Sequence, residues 1–423
     1  MKYMICFFLL VFFMQKSNAQ LLKYFDEKTL RLDYYHCGNA ETEQFFFDEL
    51  IEESFWAGSE TKLIDTNGYG NHFVEVRLAD TGELIFSRGY CTLFDEWQTT
   101  DQAKTTDFCY PESVIMPFPR NKVIVSITSR NENGIFEKKF EYSVDPKSRF
   151  IKKEREKLPV FDVVNSGPSP KKVDVVLLPE GYTKDQQDLF KADCQKFAEE
   201  FFRYEPYSEN KDKFNIRGVW APSKEEGPDI PGENVWKETC LKASYYTFGS
   251  ERYLMVNDFQ GVRDIAGNAP YDYIYILANT TKYGGGAIYN FYGISAAHHA
   301  DETGKIYIHE FGHLFAGLGD EYVGGVEYSD FYPTTIEPWE PNLTTLVDFD
   351  KKWKSMLPDG TEIPTQHKAL GKEKLGVYEG GGYVSKGVYR PGYNCVMNNF
   401  HTIDVFCPVC IKAIRGMIDF QCK

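Results

Sequence analysis

The chain has 423 residues, with 62 acidic residues against 47 Lys and Arg, and a formal net charge of −15. That excess of acid disfavours nucleic acid and anionic membrane surfaces as partners. The length exceeds what one ordinary core organises, so two domains are expected.

Residues 1–19 read as a signal peptide: Lys2 opens it, an apolar run spans residues 5–14, and Ser17-Asn18-Ala19 precede a cut. The expected product is exported, periplasmic or extracellular, and no other stretch is long enough for a membrane span. Cleavage leaves Cys37, Cys91, Cys109, Cys194, Cys240, Cys395, Cys407, Cys410 and Cys422. In an oxidising compartment disulfides are expected, with local bridges favoured among the last four.

Residues 20–150 read as an all-β sandwich with an accessory role. Residues 72–80 and 83–90 alternate apolar and polar side chains across Asp80-Thr81-Gly82, and residues 122–129 and 135–144 do so across Asn131-Glu132-Asn133-Gly134. No His, Cys and acid cluster with ligand spacing stands out there. Residues 151–172 read as a linker, charged at first and then turn-rich through Asn165-Ser166-Gly167-Pro168-Ser169-Pro170.

From residue 173 to 423 the texture is α/β. Val173-Asp174-Val175-Val176-Leu177-Leu178 suits a buried strand. Thr183-Lys184-Asp185-Gln186 is a capping box, followed by a core-facing stripe of Phe190, Cys194, Phe197 and Phe201. Residues 214–220 and 271–277 read as strands, and residues 410–419 as a closing helix.

Between them lies His309-Glu310-Phe311-Gly312-His313, in which two imidazoles four residues apart share one helix face. Both can ligate one zinc ion, and Glu310 then stands where a carboxylate takes a proton from water at the metal. A catalytic zinc needs a third ligand. Gly317-Leu318-Gly319-Asp320 resembles the metzincin continuation HExxHxxGxxD, with one extra residue before the glycine. Asp320 is the favoured ligand, with Glu321 or a more distant residue as rivals.

Downstream, Asn394-Cys395-Val396-Met397-Asn398-Asn399 suits a Met-turn centred on Met397. Of the tyrosines before it (Tyr378, Tyr383, Tyr389, Tyr393), any one is a candidate for stabilising an oxyanion, and Tyr389 and Tyr393 are nominated for substrate binding. Gly285, Gly286 and Ala287 suit an edge strand for an extended peptide. Cys407-Pro408-Val409-Cys410 admits a redox pair, a structural zinc site with Cys395 and His401, or disulfides, which the compartment favours. Glu225, Glu226, Asp229 and Glu233 leave a calcium site open.

Separated segments carry a resemblance: residues 175–182 (VVLLPEGY), 246–254 (YTFGSERYL), 283–292, 309–322 ending Gly319-Asp320-Glu321-Tyr322, and Cys395-Val396-Met397. Together they resemble the bacterial immunoglobulin-A metallopeptidase family with its N-terminal β-domain. The resemblance implies a metzincin-like zincin domain and a secreted zinc endopeptidase acting on protein or glycoprotein substrates, with immunoglobulin A as one candidate, since that specificity need not extend to every member. Its ligands would be His309, His313 and Asp320, with Glu310 as base. Two rivals remain on the residues alone: a protein- or glycan-binding protein on a relic scaffold, and a metal-dependent amidase.

Overall fold

The computed structural model of the chain describes residues 21–153, 156–299, 303–324, 332–366 and 374–422, so the signal peptide expected at residues 1–19 lies outside them. Among the described residues no helix is long and apolar enough to cross a membrane.

The N-terminal part is β-rich and holds two four-stranded sheets. One has the order β4-β3-β6-β7, from β3 (His72–Leu78), β4 (Leu84–Tyr90), β6 (Val123–Arg130) and β7 (Phe136–Val144). These are the two hairpins legible in the sequence, joined through antiparallel pairing of β3 with β6. The other has the order β5-β1-β2-β8, from β1 (Phe25–Gly38), β2 (Glu43–Glu53), β5 (Phe108–Pro119) and β8 (Ile151–Lys152). Alternation does not reveal β1, because six consecutive residues at its centre are buried. The sheets enclose a core that includes Leu30, Leu32, Val74, Val76, Met116 and Val125. A disulfide joins Cys37 to Cys109 across β1 and β5, where the two residues are in register.

The second part is built on a six-stranded mixed sheet, β13-β14-β12-β10-β11-β9. Its strands are β9 (Val160–Val164), β10 (Val173–Glu180), β11 (Phe214–Val219), β12 (Tyr273–Ala278), β13 (Gly285–Ala287) and β14 (Gly293–Ala296). The four central strands are parallel, and β13 and β9 close the edges antiparallel. Every residue of β10 is buried. Val173, Val175 and Leu177 face one layer while Val176 and Leu178 face the other, as the two-residue strand period requires. Each such side chain contributes about 1.5–3 kcal/mol of burial.

One layer holds the helices Gln187–Phe201, Thr303–Ala316 and Pro408–Cys422. The capping box forms at Thr183, whose N–H donates to Gln186 Oε1 at 2.9 Å. The other layer holds the helix Phe259–Ala266 together with Leu93, Phe94, Trp97 and Tyr110 of the N-terminal part. The two parts therefore share a core. Polar contacts seal the junction: Arg31 Nη1 lies 2.7 Å from Asp264 Oδ1, and Cys91 N–H donates to Tyr289 O at 3.0 Å.

The stretch read as a linker is corrected by this arrangement. Residues 151–152 extend the first part's sheet and residues 160–164 form an edge of the second, where β9 pairs with β11. Turn-forming residues marked the end of the strand but not the pairing before it. The bridges expected among the last four cysteines are also absent: Cys395, Cys407, Cys410 and Cys422 form no disulfide.

Candidate active site

The helix Thr303–Ala316 buries Ile306, Tyr307, Ile308, Phe311, Leu314 and Phe315 against the sheet and its neighbouring helices. Its remaining face turns His309, Glu310 and His313 into a cleft of about 1710 Å³. Gly312 keeps this helix close to its floor, since a Cβ there would meet Met397 Sδ at 3.0 Å. The helix stops at Gly317, whose φ of +59° lies in the left-handed region that favours glycine. The turn carries Asp320 back over the two histidines.

Three ligand atoms then converge. Asp320 Oδ1 lies 3.3 Å from His309 Nε2 and 3.3 Å from His313 Nε2, and the two Nε2 atoms are 3.2 Å apart. A tetrahedral zinc with bonds of about 2.1 Å needs ligand separations of about 3.4 Å. The triangle fits that requirement. Each imidazole is oriented through its other nitrogen: His309 Nδ1 contacts Val396 O at 3.2 Å and His313 Nδ1 contacts Leu318 O at 2.5 Å. Such bonds leave Nε2 as the ligating atom. Asp320 Oδ1 is buried with no hydrogen-bond partner, as an atom reserved for a cation would be. The residues present therefore fit a metal.

The electrostatics agree. Removal from water works to raise the Asp320 carboxyl, but His313 and His309 outweigh it and hold the group well below the usual carboxylate range. Burial would lower His313, yet Asp320 lifts it to about 9. Both shifts express one clustering of opposite charges that a cation would replace. Glu310 is pushed above the ordinary carboxylate value by loss of solvent, the direction that suits a group exchanging protons near neutral pH.

Met397 is fully buried beneath Gly312, and its carbonyl accepts the Glu321 N–H at 2.8 Å. Gly285, Gly286 and Ala287 form edge strand β13 and line the cleft. Part of that rim is already taken, because the Gly285 N–H donates to Arg252 O at 3.3 Å.

Tyr389 and Tyr393 are not cleft residues. Tyr389 exchanges backbone hydrogen bonds with Thr344 at 2.8 and 3.1 Å. Tyr393 stacks edge-on against Tyr378 at 5.2 Å and lies under the Arg390 guanidinium at 4.2 Å. Of the four tyrosines, Tyr383 is the one that lines the cleft, and its hydroxyl donates to Asp320 Oδ2. The tyrosine-rich approach was visible in the sequence, but nothing in it singled out this member.

The acids considered for calcium do not converge. Glu225 accepts from Glu238 N–H at 2.8 Å, Asp229 accepts from Lys237 N–H at 2.5 Å, and Glu233 pairs with Lys282 at 3.2 Å. Among the described residues they form no group with ligand spacing.

The N-terminal part supplies one wall of the cleft. Asp95 and Glu96, on the short helix Leu93–Gln98, line it, and Glu96 accepts a hydrogen bond from Tyr253. Burial lifts the Glu96 carboxyl to about 7. This part also contains a cluster that sequence spacing did not reveal, in which His36, Glu43 and His72 come together. Their nitrogens are already engaged. His36 contacts Glu112 at 3.0 Å and Glu43 at 3.2 Å, while His72 contacts Ser129 at 3.0 Å and Asp95 at 2.6 Å. It is a hydrogen-bonded ion network within the fold.

The fold and cleft thus define an α/β protein whose helix-borne His–Glu–His constellation meets an aspartate, with a β-rich part beside it. Family comparison agrees on both parts. The model described as IgA Peptidase M64 matches residues 161–375 and 368–418, and that described as Peptidase M64 N-terminus matches residues 20–141. The chain belongs to the M64 family of IgA peptidases, and its class is therefore that of a peptidase. No curated protein matches it.

Proposed function

We propose that the chain is an exported, metzincin-like zinc endopeptidase that hydrolyses protein or glycoprotein substrates, immunoglobulin A being one candidate. One observation carries this reading: three ligand atoms, all 3.2–3.3 Å apart, stand on the floor of a cleft that Glu310 shares. His309, His313 and Asp320 would hold the metal. Zinc so held polarises a carbonyl and lowers the pKa of water to about 7.

Glu310 is the proton carrier. Its carboxylate accepts a proton from the attacking water, and its carboxylic acid returns one to the leaving amine. Tyr383 and the backbone carbonyls of Val396 and Leu318 orient the ligands. A β-domain over residues 20–150 beside a catalytic domain from residue 173 onward would make recognition a joint property, since both parts line the cleft.

The test is a Glu310→Gln protein assayed on a peptide library beside the parent, with and without chelator. Loss of the carboxylate should lower kcat/KM by about 10²–10⁴-fold while metal content stays at the parent level. Chelator-resistant cleavage, or parent turnover in metal-loaded Glu310→Gln, would count against the proposal. A well-bound metal with no cleavage of any peptide would favour a binding protein on this scaffold.

A further inference from the structure

A second group of ligand atoms lies behind the candidate catalytic centre. The Cys395 and Cys410 sulfurs are 3.7 Å apart, and Glu321 Oε1 is 3.3 Å from Cys410 Sγ and 4.0 Å from Cys407 Sγ. All four groups are buried, with ligand atoms within 4.8 Å of one another. A tetrahedral zinc with Zn–S bonds of about 2.3 Å requires sulfurs about 3.8 Å apart. The Cys395–Cys410 pair meets that spacing, and the remaining ligand atoms lie within 4.8 Å.

Three further observations point to a cation. Glu321 is fully buried, and its Oε2 has no hydrogen-bond partner, an expensive state for a carboxylate left uncompensated. Its Oε1 is steadied by Asn342 Nδ2 at 2.9 Å, and the same side chain brackets Gly319 through two bonds of 2.8 Å. This is the outer support that metal-bound carboxylates receive. The backbone also turns N–H groups toward sulfur: Cys407 N–H to Cys395 Sγ at 3.3 Å, and Cys410 N–H to Cys407 Sγ at 3.5 Å. Such donors, at the start of the helix Pro408–Cys422, favour thiolate. A disulfide would consume two sulfurs and leave the third beside an unneutralised carboxylate.

We propose that Cys395, Cys407, Cys410 and Glu321 bind a second, structural zinc ion. His401, the other residue that the sequence offers beside these cysteines, is exposed and lies against the Phe400 ring at 4.4 Å. Closed four-ligand sites of this kind stabilise folds and offer no position to substrate. This one ties together the segments that shape the cleft. Glu321 follows Asp320 in the chain, and Cys395 precedes Val396 and Met397, whose carbonyls meet His309 and Glu321. The final helix is fastened to both.

The experiment is metal stoichiometry on the intact protein, combined with thiol chemistry. The parent should carry two zinc ions per chain, His309→Ala one, and Cys410→Ser one. A thiol-specific mercurial should release one equivalent from native His309→Ala protein, which keeps the proposal testable if the cysteine variant does not fold. Cobalt exchanged into His309→Ala should give a sulfur-to-metal charge-transfer band. A disulfide among Cys395, Cys407 and Cys410, or a metal-free His309→Ala protein, would overturn the proposal. Two ions retained in His309→Ala would strike the catalytic reading instead, so the two failures are distinguishable.

Discussion

Tyr383 donates its hydroxyl hydrogen to Asp320 Oδ2, leaving Oδ1 of the same carboxylate facing His309 and His313. The tyrosine is held there by backbone bonds: Gly382 N–H to Asp320 O at 2.8 Å and Tyr383 N–H to Tyr322 O at 3.0 Å. Residues 320–322 and 382–383 thus form one unit, and the aspartate's orientation does not depend on its own loop alone.

This relationship predicts graded losses of metal. Outer-shell partners are worth about 10–100-fold in affinity, so Tyr383→Phe should weaken retention by that factor. Asp320→Ala should weaken it further because a ligand is gone. Competition against a chelator of known affinity measures both. Unchanged affinity in Tyr383→Phe would mean that the hydroxyl does not orient the ligand.

Gly317→Ala should destabilise the protein by about 1–3 kcal/mol, since a non-glycine residue there is strained. The new Cβ would also lie 2.6 Å from Trp339 Cζ3. Gly324→Ala is the matched control, with φ of +78° and open space around its Cβ, and should cost less. Urea unfolding compares them. Equal losses would leave the Trp339 contact without energetic weight.

His36 predicts a pH dependence of stability. Burial works to lower its pKa, but Glu112 and Glu43 raise it to about 9. Because the folded value exceeds the unfolded one, near 6.5, the contribution is full below pH 6.5. It is lost as pH rises through about 9. Its size is on the order of 3 kcal/mol. Glu43 behaves oppositely: burial works to raise its pKa, but His36, His72 and Ser129 bring it down to about 2. Its contribution is present above pH 4.5 and lost as pH falls through about 2. Thermal melts from pH 6 to 9.5 should therefore show a decline that His36→Gln flattens. An unchanged slope in that variant would remove His36 as its source.

Local periodicity made several elements readable. The run from Val173 to Leu178 became the centre of the parallel sheet, and Thr183 and Gln186 formed their capping box, because each depends on neighbours within a few residues. Strand β9 was hidden because its assignment depends on β11, some fifty residues away. Strand β1 was hidden because covering both faces abolishes alternation. Tyr383 could not be chosen from its neighbours, because the choice rests on contact with Asp320, 63 residues earlier.

Spacing along the chain was enough to find the paired histidines and the glutamate between them, because a helix converts a four-residue spacing into a shared face without outside help. It also carried the glycine that ends this helix. Long-range packing is what brings Asp320 Oδ1 in to close the triangle and sets the N-terminal part as a wall of the cleft. It alone gathered Glu321 with three distant cysteines. Those outcomes depend on how sheets and helices pack across long stretches of chain, and residue spacing holds no record of that packing.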